Sequence, residues 1–256
     1  MKFTIFLIFF QHLCRYLCLP YDIIYPEVLR MQHINKLFTV EYNNQNISLD
    51  ILDTFINVFE NELKNIYDQF DIKNICVPLT LCNKQMLDED VKANSVSYKN
   101  CDVPSWLVGF SSSKGVWLLE PNENNINNMI KVALHESIHY IMYNTYPTIS
   151  RSKLLDEGLA TYYSKQNYSY TLKQLKDDLT NNTLKKISDL STQDSVQFAK
   201  IKGYTYCYYV IDFLIQNFGI KQILDWYKNT DSFNEDIYNL DLNTKFIKYL
   251  REKLSD

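Results

Sequence analysis

Glycine and proline are scarce here, 5 and 6 of 256 residues. They do not cluster, so no low-complexity linker divides the chain, and no internal repeat is present. Neither sign of charge is in excess: 26 Lys and Arg face 30 Asp and Glu, a net charge of -4. That excludes a nucleic-acid binder held by a basic face, so no nucleic-acid partner is expected. No apolar run has the length of a bilayer span; the longest at the N-terminus, Phe3 to Phe10, is too short. Histidine is rare as well, with four in the chain, and none follows His139. What is present is enough for a sizeable core, with 46% hydrophobic residues, 20 Tyr and 14 Phe. The length suits one large domain or two small closely packed ones, and the composition predicts a helix-rich α+β protein.

Two of the four histidines stand together in His135-Glu136-Ser137-Ile138-His139. With so few histidines, a chance His-Glu-x-x-His is expected only about 0.003 times in this chain, so the pattern carries weight. Residues four apart share one face of a helix, so both imidazoles can point at one metal ion. Glu136, about 100° around the helix, can reach a water on that ion. Met129, Ile130, Val132, Ala133, Leu134, Ile138, Ile141 and Met142 make the helix apolar on most sides and predict its burial. The bland alternative is a helix whose charged triplet faces solvent. A zinc site with catalytic work needs a third protein ligand and an open fourth position. Thr145 stands where a third histidine six residues on would be, so that ligand is a carboxylate or lies outside the motif. Asp156-Glu157 is the acidic pair that follows. Glu157 opens Glu157-Gly158-Leu159-Ala160-Thr161-Tyr162, and Gly158 and Ala160 would let this second helix pack closely on the first. An ordinary acid at a helix N-terminus is the alternative for Glu157.

His135-Glu136-x-x-His139 followed by Leu155-Asp156-Glu157-Gly158-Leu159-Ala160 resembles the gluzincin metallopeptidases, most closely the small bacterial peptidase MA-like domains. The resemblance extends from about Phe38 to Leu224. It implies a zincin-like fold: a small mixed sheet with an edge strand over the His-Glu-x-x-His helix, then a helical C-terminal part. It also implies one Zn2+ per chain, held by His135, His139 and Glu157, with Glu136 as general base in hydrolysis of a peptide bond. In such enzymes an extended substrate adds to an edge strand just before the motif helix. That assigns the substrate backbone to Val116, Trp117, Leu118 and Leu119. The second donor to the oxyanion is a tyrosine near the start of a later helix, which points to Tyr204, with Tyr208 one turn deeper in reserve. One departure is visible. An aspartate one turn after the glutamate ligand supports a zinc histidine in thermolysin-like enzymes, and here that position is Thr161, so the support must differ. The Gly-x-Met-Glu-Asn segment of the larger aminopeptidases is absent. An endopeptidase acting on peptides or proteins is therefore the leading expectation, with an aminopeptidase or a non-catalytic binding module of the same fold as alternatives.

Around this centre the chain divides into an apolar, irregular segment 1–36, a sheet-bearing part 37–145 that ends with the motif helix, and a helical part 146–256. Within residues 1–19, the apolar run Phe3 to Phe10 has the length of a signal-peptide apolar region, but it follows a single lysine and no small-residue cleavage site is present. A cytoplasmic location is expected, with export or membrane attachment through residues 1–19 as the alternative. Leu37 to Tyr42 and Ile75 to Leu81 read as strands, the second at an edge or bulge because of Pro78. Ser48 to Phe70 has helical periodicity with Ser48 as N-cap. Asp88 to Pro104 reads as a polar loop, and Trp106 to Leu119 as a hairpin turning at Lys114-Gly115. Leu172 to Gln193 suggests two short helices. Lys202 to Phe218 reads as an apolar helix stopped by Gly219, Ile220 to Tyr227 starts another, and Thr244 to Leu254 forms the last. Six scattered cysteines are expected to be buried free thiols, and His12 and His33 have no motif around them.

Overall fold

Alternating burial along three short segments builds the sheet. Phe38, Val40 and Tyr42 in β2 (Phe38–Asn43), Val77, Leu79 and Leu81 in β3 (Val77–Cys82), and Val116 and Leu118 in β5 (Gly115–Leu119) all point into one core. This period of two is that of a strand with one face covered. With β1 (Arg30–Ile34) and β4 (Gly109–Ser112) they form a mixed five-stranded sheet of order β1-β2-β3-β5-β4. The β2–β3 and β3–β5 pairs are parallel and the outer two antiparallel. The computed structural model describes residues 30–255, apart from 44–45, 96–97, 148, 150, 167–168 and 193. Residues 1–19, Cys14, Cys18 and His12 lie outside the described residues.

Helices make up the rest, so the protein is an α+β fold with a small mixed sheet. α1 (Leu49–Phe70) buries Leu52, Phe55, Phe59, Leu63, Ile66 and Phe70, a stripe at three- and four-residue spacing. Its Ser48 cap accepts the Ile51 N–H, as its position predicts. α1 packs on α3 (Ile126–Thr145), which lies against β4 and β5. On the opposite face, α2 (Lys84–Asn94) buries Leu87 and Val91 with Cys82 and Leu107, and Trp117 and Leu119 of β5 pack there. The C-terminal half is helical: α4 (Lys153–Tyr163), α5 (Ser169–Thr180), α6 (Ile187–Leu190), α7 (Ser195–Lys200), α8 (Gly203–Lys228), α9 (Thr230–Asn239) and α10 (Leu242–Ser255). α8 bends where Gly219 takes φ 74°, which is the stop read from the sequence. Among the described residues no helix is long and apolar enough to cross a membrane.

Several expectations are corrected. Residues 30–34 are strand β1 rather than part of an irregular segment. Residues 84–94 are helix α2, so the loop expected from residue 88 begins later. Pro78 sits in the central strand, not at an edge. Val77 N–H bonds Leu37 C=O on the β2 side, so alternation turns the Pro78 nitrogen toward β5, where pairing starts only at Leu79 and Val116. The missing donor therefore costs no ladder bond. β5 is paired on both sides, so Val116 to Leu119 is an interior strand and the edge is β4. Of the four described cysteines, all free, Cys82 and Cys207 are buried but Cys76 and Cys101 are exposed.

Gly158 faces α8 rather than the motif helix. A Cβ there would stand 2.6 Å from Ile211 Cγ1 and 3.1 Å from the Cys207 carbonyl oxygen. Ile211 is branched and fully buried, so it has nowhere to move. Gly158→Ala gains about 1 kcal/mol of helix propensity but meets an overpacking cost of about 1–3 kcal/mol. The expected outcome is a net loss of stability, read as a lower midpoint in urea unfolding; a raised midpoint would mean the two helices can separate freely.

Candidate metal centre

α3 carries its polar residues on the one side that neither sheet nor α1 covers. Ala133, Leu134, Ser137, Ile138, Ile141 and Met142 are buried. His135, Glu136, His139 and Tyr140 line a cleft of about 970 Å³. The chain reverses after Tyr146, and α4 returns with Glu157 buried at 7% exposure. α4 is held there by α8, through the contact at Gly158.

The result is convergence. His135 Nε2 and His139 Nε2 are 3.1 Å apart, and each is 3.6 Å from Glu157 Oε2. Ligands at about 2.0–2.1 Å in a tetrahedron stand roughly 3.3 Å from one another, so these three atoms are spaced to share one ion. His135, His139 and Glu157 could hold a metal ion. The surroundings orient them. Lys153 Nζ donates to Glu157 Oε1 at 2.8 Å, which leaves Oε2 to face the imidazoles. Asp156 Oδ2 lies 3.4 Å from His139 Nδ1, and Tyr227 donates to Asp156 Oδ1 at 2.9 Å. A carboxylate beside His139, which Thr161 cannot provide, thus comes from Asp156, the residue before Glu157, and fixes which His139 nitrogen faces the cluster. His135 Nδ1 is buried with no partner among the described residues.

Burial disfavours charge throughout the cluster, yet the groups compensate one another. For His139, burial pulls the pKa down, but Asp156 and Glu157 outweigh it and hold it well above 6.5. For Glu157, burial pushes up, but His139, His135 and Lys153 hold it well below the usual glutamate range. Asp156 is lowered in the same way, burial being overcome by His139 and Lys153.

Glu136 lies beside the cluster but outside it. Ser111 Oγ on β4 donates to its Oε2 at 2.6 Å. Strand and helix come this close because Gly109 has no side chain: a Cβ there would stand 2.4 Å from Val132 Cγ1 and 3.4 Å from Glu136 Cγ. Tyr204 also lines the cleft, 45% exposed at the start of α8, its ring edge-on to Phe198. Burial and the Glu157 charge push its hydroxyl up to about 12. Tyr206 points away, buried and donating to Asp178, while Tyr208 packs on Tyr162. Val116, Trp117, Leu118 and Leu119 do not line the cleft; Gly109 to Ser112 of β4 do. Ser111, Lys153 and the support role of Asp156 were missed in the sequence. Lys153 stands four residues before Glu157, a legible helical pair, but nothing local marks Ser111. Neither a scan against protein-family models nor a search of curated proteins finds a match.

Two expectations follow for purified protein. Glu157→Ala should lose most bound metal by elemental analysis, since two imidazoles remain, whereas Glu136→Gln should keep it; full loading of Glu157→Ala would shift suspicion to Asp156. Second, metal must displace the His139 proton, because a ligating imidazole is neutral. Metal uptake near pH 7 should therefore release about one proton, read by calorimetry in two buffers of different ionisation enthalpy. In the metal-free protein the raised His139 pKa contributes stability that is fully present below about pH 6.5 and lost as pH rises through the folded-state value.

Proposed function

We propose that this protein is a zinc-dependent peptidase of zincin-like fold, acting as an endopeptidase, with His135, His139 and Glu157 as metal ligands and Glu136 as general base. The observation that carries the reading is the convergence of the three ligand atoms beside Glu136, in a cleft bordered by a free sheet edge. Two imidazoles and one carboxylate at tetrahedral spacing suit zinc. When bound, the metal acidifies a water and polarises the scissile carbonyl.

The chain's own groups do the rest. Leu119 N–H bonds Val108 C=O at 2.9 Å, so alternation turns the backbone groups of Gly109 and Ser111 outward from β5. An extended peptide adding to β4 would pair with those groups and lie over Glu136. Ser111 holds Glu136 Oε2, leaving Oε1 to take the proton of the attacking water and later deliver it to the leaving amine nitrogen. Tyr204, kept protonated across neutral pH, would donate its O–H to the oxyanion.

Zinc-loaded protein should cleave peptides from a mixed library and stop on chelation, and Glu136→Gln should retain zinc without turnover. Failure of the loaded protein to cleave any peptide would sink the reading. Tyr204→Phe should keep zinc and lower kcat about 10²-fold, the scale of one lost oxyanion donor, with little change in KM. A wild-type kcat in that variant removes Tyr204 from the mechanism.

A further inference from the structure

Two cations line the cleft, and they differ in what they are bound to. Lys153 is committed to Glu157 at 2.8 Å. Arg151, two residues earlier, forms no ion pair with an Asp or Glu among the described residues. Its guanidinium lies 4.6 Å from the centroid of the Tyr143 ring. Nη2 makes one long contact, 3.4 Å, to the Tyr146 carbonyl oxygen, and Nε is buried without a partner among the described residues. The carboxylates of the cleft are already engaged: Glu136 by Ser111, Asp156 by His139 and Tyr227, Glu157 by Lys153. The uncommitted charge of the cleft is therefore a half-buried guanidinium.

Its position is informative. Tyr143 follows His139 by four residues on α3, so the two share a face and lie one helical turn apart. Arg151 stands on the Tyr143 ring, one turn beyond the proposed metal. A guanidinium presents planar paired donors matched to a carboxylate, and stacking on an aromatic face holds that plane. Among the described residues the terminal nitrogens of that fork make only the one long contact, so a carboxylate entering the cleft can take them.

We propose that Arg151 is the substrate-carboxylate site of this cleft, so that the preferred peptides carry a carboxylate about one helical turn from the scissile bond. That group is either a free C-terminus or an Asp or Glu side chain; both present the same chemistry. The inference rests on the peptidase reading above. A side-chain carboxylate goes with the endopeptidase, whereas a free C-terminus this near the scissile bond would make the enzyme act at chain ends instead.

The test uses the zinc-loaded full chain and four N-acetylated peptide pools. Two end in a free carboxylate and two in an amide, and each pair has a fixed central Glu or Gln. Carboxylate-bearing peptides should be cleaved with kcat/KM about tenfold or more above their neutral counterparts, the size of one charge-assisted contact. In Arg151→Met that ratio should fall to about one, and Arg151→Lys, which keeps the charge but loses the fork, should fall between. A preference for the free terminus alone identifies the terminus as the group; a preference for Glu in the amidated pools identifies a side chain. Equal cleavage of all four pools overturns the inference while the peptidase reading stands, as does a preference that persists in Arg151→Met. If no pool is cleaved, the peptidase reading fails, and binding decides the inference. The same pools are then titrated into Glu136→Gln by tryptophan fluorescence, with Trp106 on the cleft wall as reporter. Tighter binding of the carboxylate pools, lost on adding Arg151→Met, supports the site, and equal Kd values overturn it.

Discussion

Bringing two imidazoles and a carboxylate to one point inside the protein is the constraint on which the rest of this structure depends. Each lone pair turned inward gives up water, and a buried charge is tolerated only when paired and hydrogen-bonded. The chain meets this with a ring of neighbours rather than with solvent. Lys153 holds one oxygen of Glu157, Asp156 faces the far nitrogen of His139, and Tyr227 holds Asp156. Asp156 and Glu157 are consecutive, so one turn of α4 supplies both the third donor and the support of the second.

Two close approaches set the geometry. At Gly158, α4 presses on α8, and that contact seats the turn of α4 that carries the neighbouring Glu157. At Gly109, β4 presses on α3, which lets Ser111 reach Glu136. The helix carrying Glu136 and the outer strand β4 are thereby fixed to each other within one hydrogen bond. For a peptide laid on that edge, the proposed base would stand at a set height above the backbone, a form of preorganisation.

The cleft is also asymmetric in charge. Asp156 and Glu157 are held in the cluster and Glu136 by Ser111, while Arg151 stands apart on an aromatic face. Tyr204 on α8 also lines the cleft, half exposed, where a hydroxyl can reach a ligand without first losing all its water. Separating these groups onto α3, α4, α8 and β4 means that no single element's movement preserves the arrangement.

Local pattern alone determined the motif helix with His135, Glu136 and His139 on it, the capped helix α1, the break at Gly219 and the α+β composition, because each depends on residues within a few turns of one another. The grouping of Glu157 with His135 and His139 was legible as the acidic pair after the motif and through the resemblance, and the fold made it a contact. What only the tertiary structure decided were relations between distant segments. Pro78 looked like an edge residue, but its nitrogen faces a stretch where β5 has not yet begun to pair. Val116 to Leu119 looked like a substrate-binding edge strand, but pairing on both sides puts β4 outside it. Gly158 looked suited to α3 and instead meets α8. Ser111 carries no local signal, since its role arises from an approach of strand to helix across 25 residues of chain. Periodicity tells which face a residue is on, but not which neighbour that face will meet.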